Sequence, residues 1–232
     1  MVDSVQLMDT KLLVAINSFF LSTEQKSYFM LFMGNNPVPR GFPIFLSLVG
    51  LWFSAECNKR RSRKLIGLLA TCFATVASVW LQRHFTPHIR PLLDPTIPLK
   101  VVGVPTTGWD RLGSFPSDTA TLFFSLVAVI VIENRLLGLL CFIWALMTAG
   151  VARIALGIHF PSDILGALVL GPVAVCLFDS VPYFKTLVER ALNLFRDRMY
   201  LVHSLLFLFL AEAYDLFVGF QGTLKYFRIL SG

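Results

Sequence analysis

Apolar runs separated by short polar or turn-forming stretches recur along this chain, near residues 41–56, 65–82, 117–132, 136–156, 162–180 and 201–220. A helix needs about 17–25 predominantly apolar residues to cross a bilayer, where every backbone N–H and C=O must be satisfied within the segment itself. The expected fold is therefore all-α: a polytopic membrane bundle of about six transmembrane helices. Composition agrees, since 56% of the residues are hydrophobic and only 15% are charged. A soluble domain of this size would expose far too much apolar surface. Residues 5–33 differ. Leu12, Ile16, Phe19 and Phe20 repeat with helical spacing, but "STEQKS" at 22–27 breaks the run, which suits an amphipathic helix lying at the interface better than a further span. The opening "MVDSVQLMDT" lacks the basic region and apolar run of a cleaved signal peptide. A single membrane domain over 1–232 is expected, with 181–232 supplying a cytoplasmic connection and the C-terminal span.

Orientation follows from the basic residues. The short connection "CNKRRSRK" carries Lys59, Arg60, Arg61, Arg63 and Lys64 and marks the cytoplasmic side. Counting spans puts 133–135 and the stretch with Lys185, Arg190, Arg196 and Arg198 inside, and 83–116 and 157–161 outside. The outer loop carries Arg83, Arg90, Lys100 and Arg111 against that bias, so a local reason is needed. Cys72, Cys141 and Cys176 fall within predicted spans and Cys57 begins the basic loop; they read as small apolar fillers, with no CxxC pair to suggest zinc.

Three polar clusters fall on the outer side. The first is "RHFTPHIRP", with Arg83 and Arg90; the second is "SFPSDT" at 114–119; the third is "RIALGIHFPSD", with Arg153, His159 and Asp163. Guanidinium groups are permanently charged forks matched to phosphoryl oxygens, and Arg83, Arg90 and Arg153 could surround one phosphate. Pro-Ser at 116–117 and again at 161–162 reads as a helix start, offering free amides and a positive dipole end. His159 supplies what binding alone does not require. A neutral imidazole can attack phosphorus, and Asp163 four residues on could hold its other ring nitrogen and stabilise the charge that forms.

These clusters resemble the three-part signature of the type 2 phosphatidic acid phosphatase superfamily, the membrane relatives of vanadium haloperoxidases and class A bacterial acid phosphatases. That signature reads KxxxxxxRP, PSGH and SRxxxxxHxxxD. The chain has "RHFTPHIRP", with Arg83 in place of lysine, then "PSDT", then "ARIALGIHFPSD", with Ala152 in place of serine. The resemblance covers about residues 41–180, the expected catalytic core. It implies that Arg83, Arg90, Ser117 and Arg153 bind phosphate, that His159 is the nucleophile and that Asp163 orients it. The amide of Asp118 takes the place of the glycine amide of PSGH. The general acid has no counterpart, because Thr119 occupies the position of its histidine.

That departure bears on the substrate. General acid help is worth roughly 10² to 10⁴ in rate. A phosphate monoester expels an alkoxide whose conjugate acid is about as weak as water, with pKa roughly 15.7. A lipid diphosphate expels a phosphate group with a second pKa of about 6, which hardly needs the missing proton. A polyprenyl diphosphate is thus expected over a phosphatidic acid-like monoester. Asp118 is an alternative proton donor if its carboxyl is desolvated. A third reading is a phosphate-binding or transport protein without turnover.

Other polar residues have plainer readings. Ser162 reads as a helix cap, Asp118 as either cap or participant, and Arg111 as an interfacial side chain reaching headgroups. His84 and His88 read as surface residues. His203, Glu212 and Asp215 sit in the last predicted span, where charged groups usually face a cavity or a partner. The tail "KYFRILSG" and the net charge of +6 fit anionic membrane contact and call for no nucleic acid. No metal site and no cofactor is expected; the partners are a lipid phosphate or diphosphate and the surrounding lipids. The compact chain suggests a bacterial inner membrane, with the site on the periplasmic side.

Overall fold

The structure, a computed structural model, describes residues 2–55, 57–84, 89–104 and 113–214. His88, Arg111, Asp215 and the tail "KYFRILSG" lie outside the described residues. Among the described residues the regular structure is helical throughout, with no strand. Its α-helices are α1 (Val2–Phe20), α2 (Glu24–Asn35), α3 (Pro37–Phe53), α4 (Asn58–His84), α5 (Asp118–Glu133), α6 (Arg135–Ala145), α7 (Ala152–Ala155), α8 (Pro161–Ser180), α9 (Pro182–Leu194) and α10 (Met199–Tyr214). A π-helical turn, Leu146–Val151, joins α6 to α7 without a break, giving one continuous helix over Arg135–Ala155.

Five of the expected spans overlap helices α3 to α8, and the sixth, 201–220, does so over 201–214, its remainder lying outside the described residues. Three are long and apolar enough to cross a membrane: Asn58–His84, Arg135–Ala155 and Pro161–Ser180. Their outer faces are apolar as well as their inner ones. On α4, Leu69, Phe73, Val76 and Trp80 are exposed; on α8, Leu165, Val169, Val173 and Leu177 are exposed at a strict four-residue spacing. Such stripes at helical periodicity are what lipid covers. The protein is an integral membrane protein.

α5 packs against α4, α6, α8 and α3 and forms the centre of the bundle. Its 16 residues make it short, about 24 Å at 1.5 Å per residue. Leu122, Phe123, Phe124, Leu126 and Ile130 are all fully buried, as expected for a helix apolar all round and enclosed by others. Gly171 of α8 lets the two helices meet closely, since a Cβ there would lie 2.7 Å from Ser125 Oγ and 2.9 Å from the Thr121 carbonyl oxygen of α5.

The N-terminal region corrects the expectation of one interfacial helix. The chain breaks after Phe20, and Thr23 caps α2 by accepting from the Lys26 amide at 3.3 Å. Both α1 and α2 pack against α7, with Leu13, Asn17 and Leu21 buried. Asn17 explains the docking of α1. Its Nδ2 donates to the carbonyls of Ala155 (2.8 Å) and Lys100 (3.1 Å), and its Oδ1 accepts from the Lys100 amide. α3 begins at Pro37 rather than 41, because Asn36 accepts from the Val38 amide at 2.9 Å and proline in the first turn lacks only an N–H that would be orphaned anyway. Pairs at the opposite end of the bundle clamp α4 to α5 and α8: Lys64 with Glu133 at 2.8 Å, and Arg63 with Asp179 at 2.8 Å.

Candidate active site

The last turn of α4, the first turns of α5 and α8 and the last turn of α7 meet at one end of the bundle, and the polar residues of the three clusters collect there. Ser117, Thr119, His159 and Asp163 are essentially without exposure, and Arg90 and Arg153 are buried. The π turn ends at Val151, two residues before Arg153; such a turn inserts a residue into the helical register and so changes which face the following side chains occupy.

His159 follows a sharp reversal. α7 ends at Ala155, and Gly157 takes a left-handed φ of 71°, a conformation that costs a residue with a Cβ about 1–2 kcal/mol. The Gly157 carbonyl accepts from the Leu92 amide at 2.8 Å. That bond latches the segment carrying Arg90 onto the turn carrying His159. Arg90 itself precedes a short 3₁₀ turn, Pro91–Leu93.

The imidazole has one defined tautomer. Nδ1 lies 3.0 Å from the Ser114 carbonyl oxygen, which can only accept, and Nε2 lies 3.4 Å from Nη2 of Arg153, which can only donate. The hydrogen-bond network therefore puts the proton on Nδ1 and the lone pair on Nε2. Asp163 Oδ2 stands 3.4 Å from Nδ1. The expected His159–Asp163 pair is brought together, with the Ser114 carbonyl as the nearer partner. Burial, followed by the positive charges of Arg90 and Arg153, holds the His159 pKa well below its ordinary value, against the weaker opposing effect of the Ser114 hydrogen bond. Burial likewise lowers Arg90, opposed by the nearby Asp118 and Asp163 carboxylates.

The two similar helix starts differ in use. At α5, Ser117 is the N-cap and accepts from the Ala120 amide at 3.3 Å. Asp118 Oδ1 accepts from the Thr119 amide at 2.8 Å and lies 3.5 Å from the Thr119 hydroxyl. At α8 the expectation of free amides is corrected. Asp9 of α1 accepts from both the amide and the hydroxyl of Ser162, and Asp163 accepts from the Phe160 amide at 2.8 Å. A carboxylate from the chain itself already sits on that dipole. The turns are also coupled, because the Ser117 amide donates to the Asp163 carbonyl at 3.2 Å.

Arg83 is exposed on the last turn of α4, so it stands apart from the buried arginines. The buried polar side chain at that turn is its neighbour Gln82, whose Nε2 donates to the Pro116 carbonyl at 2.6 Å. His84 is exposed and stacks on Trp80 at 5.0 Å. His203 lies between Trp52 and Phe53, far along the chain from the site residues. All four cysteines are free, and Cys57 and Cys176 are exposed rather than packed. Among the described residues no group of three or more His, Cys, Asp or Glu side chains could hold a metal ion.

Sequence reasoning missed Arg40. It lies on the first turns of α3, is 4% exposed, and its Nη1 approaches the Gly34 carbonyl at 3.4 Å. Arg153 Nη1 approaches the same oxygen at 3.5 Å. The signal was an arginine directly ahead of an apolar run, in "NPVPRGFPIF", which is indistinguishable from a side chain reaching for headgroups.

Comparison with known proteins matches these features to a family. Residues 95–186 match the PAP2 superfamily. The chain is 29% identical over 136 residues to a protein of Escherichia coli (strain K12) named "Putative undecaprenyl-diphosphatase YbjG", an alignment covering 58% of this chain and 63% of that protein. It is 27% identical over 149 residues to "Undecaprenyl-diphosphatase BcrC" of Bacillus subtilis (strain 168), covering 62% of this chain and 72% of that protein. The matched part thus spans less than two thirds of the Escherichia coli relative's length. No solved structure matches the chain. With the domain match, the two relatives and the ordered Ser117, Arg153, His159 and Asp163 at one end of a helical bundle, the chain belongs to the PAP2 superfamily.

Proposed function

We propose that this protein hydrolyses a lipid diphosphate, with a polyprenyl diphosphate preferred, through a phosphohistidine on His159. The observation that carries the reading is the state of that side chain. Its Nδ1 proton is given to the Ser114 carbonyl, and its Nε2 lone pair is directed at the guanidinium of Arg153. A phosphoryl group held by Arg153, Arg90, Ser117 and the Asp118 amide would present phosphorus to Nε2. Asp163 would stabilise the imidazole as it becomes cationic, and lowering of its pKa keeps His159 neutral beforehand.

The step balances simply. Nε2 forms a bond to the terminal phosphorus while the bond from that phosphorus to the bridging oxygen breaks, and the bridging oxygen leaves as part of the lipid monophosphate. Water then attacks the phosphohistidine, the N–P bond breaks, and inorganic phosphate departs with the water's oxygen. Thr119 supplies no acid of useful strength, and a phosphate leaving group with second pKa near 6 needs little. Names of the two relatives point to the same substrate class. The basic residues at 57–64 on the opposite end support an orientation with this end of the bundle on the non-cytoplasmic face, the periplasmic side in a bacterial inner membrane.

The test is phosphate release from lipid monophosphates and diphosphates by the purified protein. Wild type should release phosphate fastest from the diphosphate, and His159→Ala should abolish release. Vanadate, which adopts the five-coordinate geometry of the transferring phosphorus, should inhibit. Association of lipid diphosphate without any turnover would favour the second reading, a binding or transport protein, to which the buried Thr119 at the acid position points.

A further inference from the structure

We infer that Arg40 forms a subsite for the second phosphoryl group of a lipid diphosphate, next to Arg153, which holds the transferring one, so that Arg40 sets the preference for diphosphate over monophosphate. The inference rests on the hydrolase reading above for its chemistry, and on the following geometry for its location. Arg40 and Arg153 come from helices remote in sequence, yet each points an Nη1 at the one carbonyl of Gly34, at 3.4 and 3.5 Å. Arg153 also reaches His159 Nε2. Moving outward from the nucleophile, the order is therefore Nε2, Arg153, Arg40. Two linked phosphoryl groups would meet the guanidiniums in that order, the transferring group at Arg153 and the leaving group at Arg40.

The local structure holds Arg40 in place. Pro37 and Pro39 fix the backbone of the first turn, Asn36 caps it, and Trp144 Nε1 donates to the Pro39 carbonyl at 2.8 Å, tying this turn to α6. The guanidinium carbon stands 5.8 Å from the centre of the Phe123 ring on α5. Gly34 brings the shared carbonyl close: a Cβ there would lie 2.9 Å from Leu156 Cδ1 and 3.1 Å from Ala152 Cβ, so glycine eases the close approach of α2 to α7. Two guanidiniums gathered at one neutral oxygen repel each other, and an anion between them offsets that repulsion. A leaving group stabilised as an anion by Arg40 also accounts for a site that has Thr119 where an acid would stand.

The experiment compares farnesyl diphosphate with farnesyl phosphate on the purified full-length protein, for wild type, Arg40→Gln and Arg40→Lys. The ratio of kcat/KM for diphosphate to that for monophosphate should fall about 10- to 100-fold in Arg40→Gln, the range of one charge-assisted hydrogen bond. Arg40→Lys keeps the charge without the fork and should recover part of the ratio. A ratio within about twofold of wild type in both variants, whether the two rates hold or fall together, overturns the subsite. Inorganic diphosphate hydrolysed as fast as the farnesyl compound would overturn the assignment to a lipid. If wild type releases phosphate from neither substrate, the hydrolase reading fails, and calorimetric titration decides the subsite: loss of diphosphate preference in Arg40→Gln supports it, an unchanged preference overturns it. Should Arg40→Gln not fold, the ratio in Arg40→Lys alone decides, again by whether it falls.

Discussion

His159 is neutral because it is enclosed. Removing the imidazole from water and placing Arg90 and Arg153 nearby both disfavour the protonated ring. Nucleophilic attack requires the neutral form, so activity should be lost only when the pH falls through this lowered pKa. The acid limb of the kcat profile is expected below pH 6.5, and a limb at or above that value would contradict the burial argument. Stability has the same sign: the unfolded chain binds this proton more readily than the folded one, so the contribution is fully present above about 6.5 and declines as pH drops below it. Burial also separates the two arginines of the first cluster, since Arg90 is enclosed and Arg83 is exposed.

At the scale of elements, the site depends on turns that place one helix end against another. Gly157 is the clearest case. Its φ of 71° and the close approach of Leu99 Cδ1, 2.8 Å from where a Cβ would lie, leave no room for a side chain. Gly157→Ala should destabilise the protein by about 1–2 kcal/mol, read as an earlier thermal transition in detergent. It should also slow turnover, because the Leu92–Gly157 bond that holds Arg90 beside His159 would shift. A variant with unchanged transition and rate would show that the reversal tolerates an ordinary residue. α1 acts at the same scale: Asp9 anchors the first turn of α8 through Ser162, adjacent to Asp163.

For the whole molecule, the bundle separates two kinds of polar chemistry. At one end, buried guanidiniums, a histidine and carboxylates gather at the proposed reactive centre; at the other, ion pairs clamp the helices. Lys64 and Glu133 form a pair at 2.8 Å with side chains 4% and 13% exposed. Lys64→Met would leave Glu133 without that partner and should cost up to about 3 kcal/mol, whereas the double variant Lys64→Met/Glu133→Leu should regain most of it. Thermal unfolding in detergent measures both. Activity per folded molecule should hold in both variants, since this end is remote from His159; a selective loss of rate would instead couple the two ends.

Local chemistry made much of this protein legible from sequence. Apolar runs fix where helices lie because a bilayer offers the backbone no other partner, and the described part of each expected span overlaps a helix, three of them long enough to cross. Ser117, Arg153, His159 and Asp163 could be singled out as candidates because their spacing along the chain is itself the pattern, and the fold brings them to one end of the bundle. Asn17, Asp9 and Arg40 carried no such pattern. Their meaning lies in contacts at sequence separations of 138, 153 and 6 residues, and Arg40 gains its role only because Arg153, 119 residues from Gly34, reaches the same carbonyl. Sequence alone determined the kind of chemistry and the helices that bear it, since both depend on residue type and local spacing. Tertiary structure alone decided which arginines are enclosed, which carboxylate caps the α8 start and which nitrogen of His159 bears the lone pair, since each depends on what a distant segment places beside it.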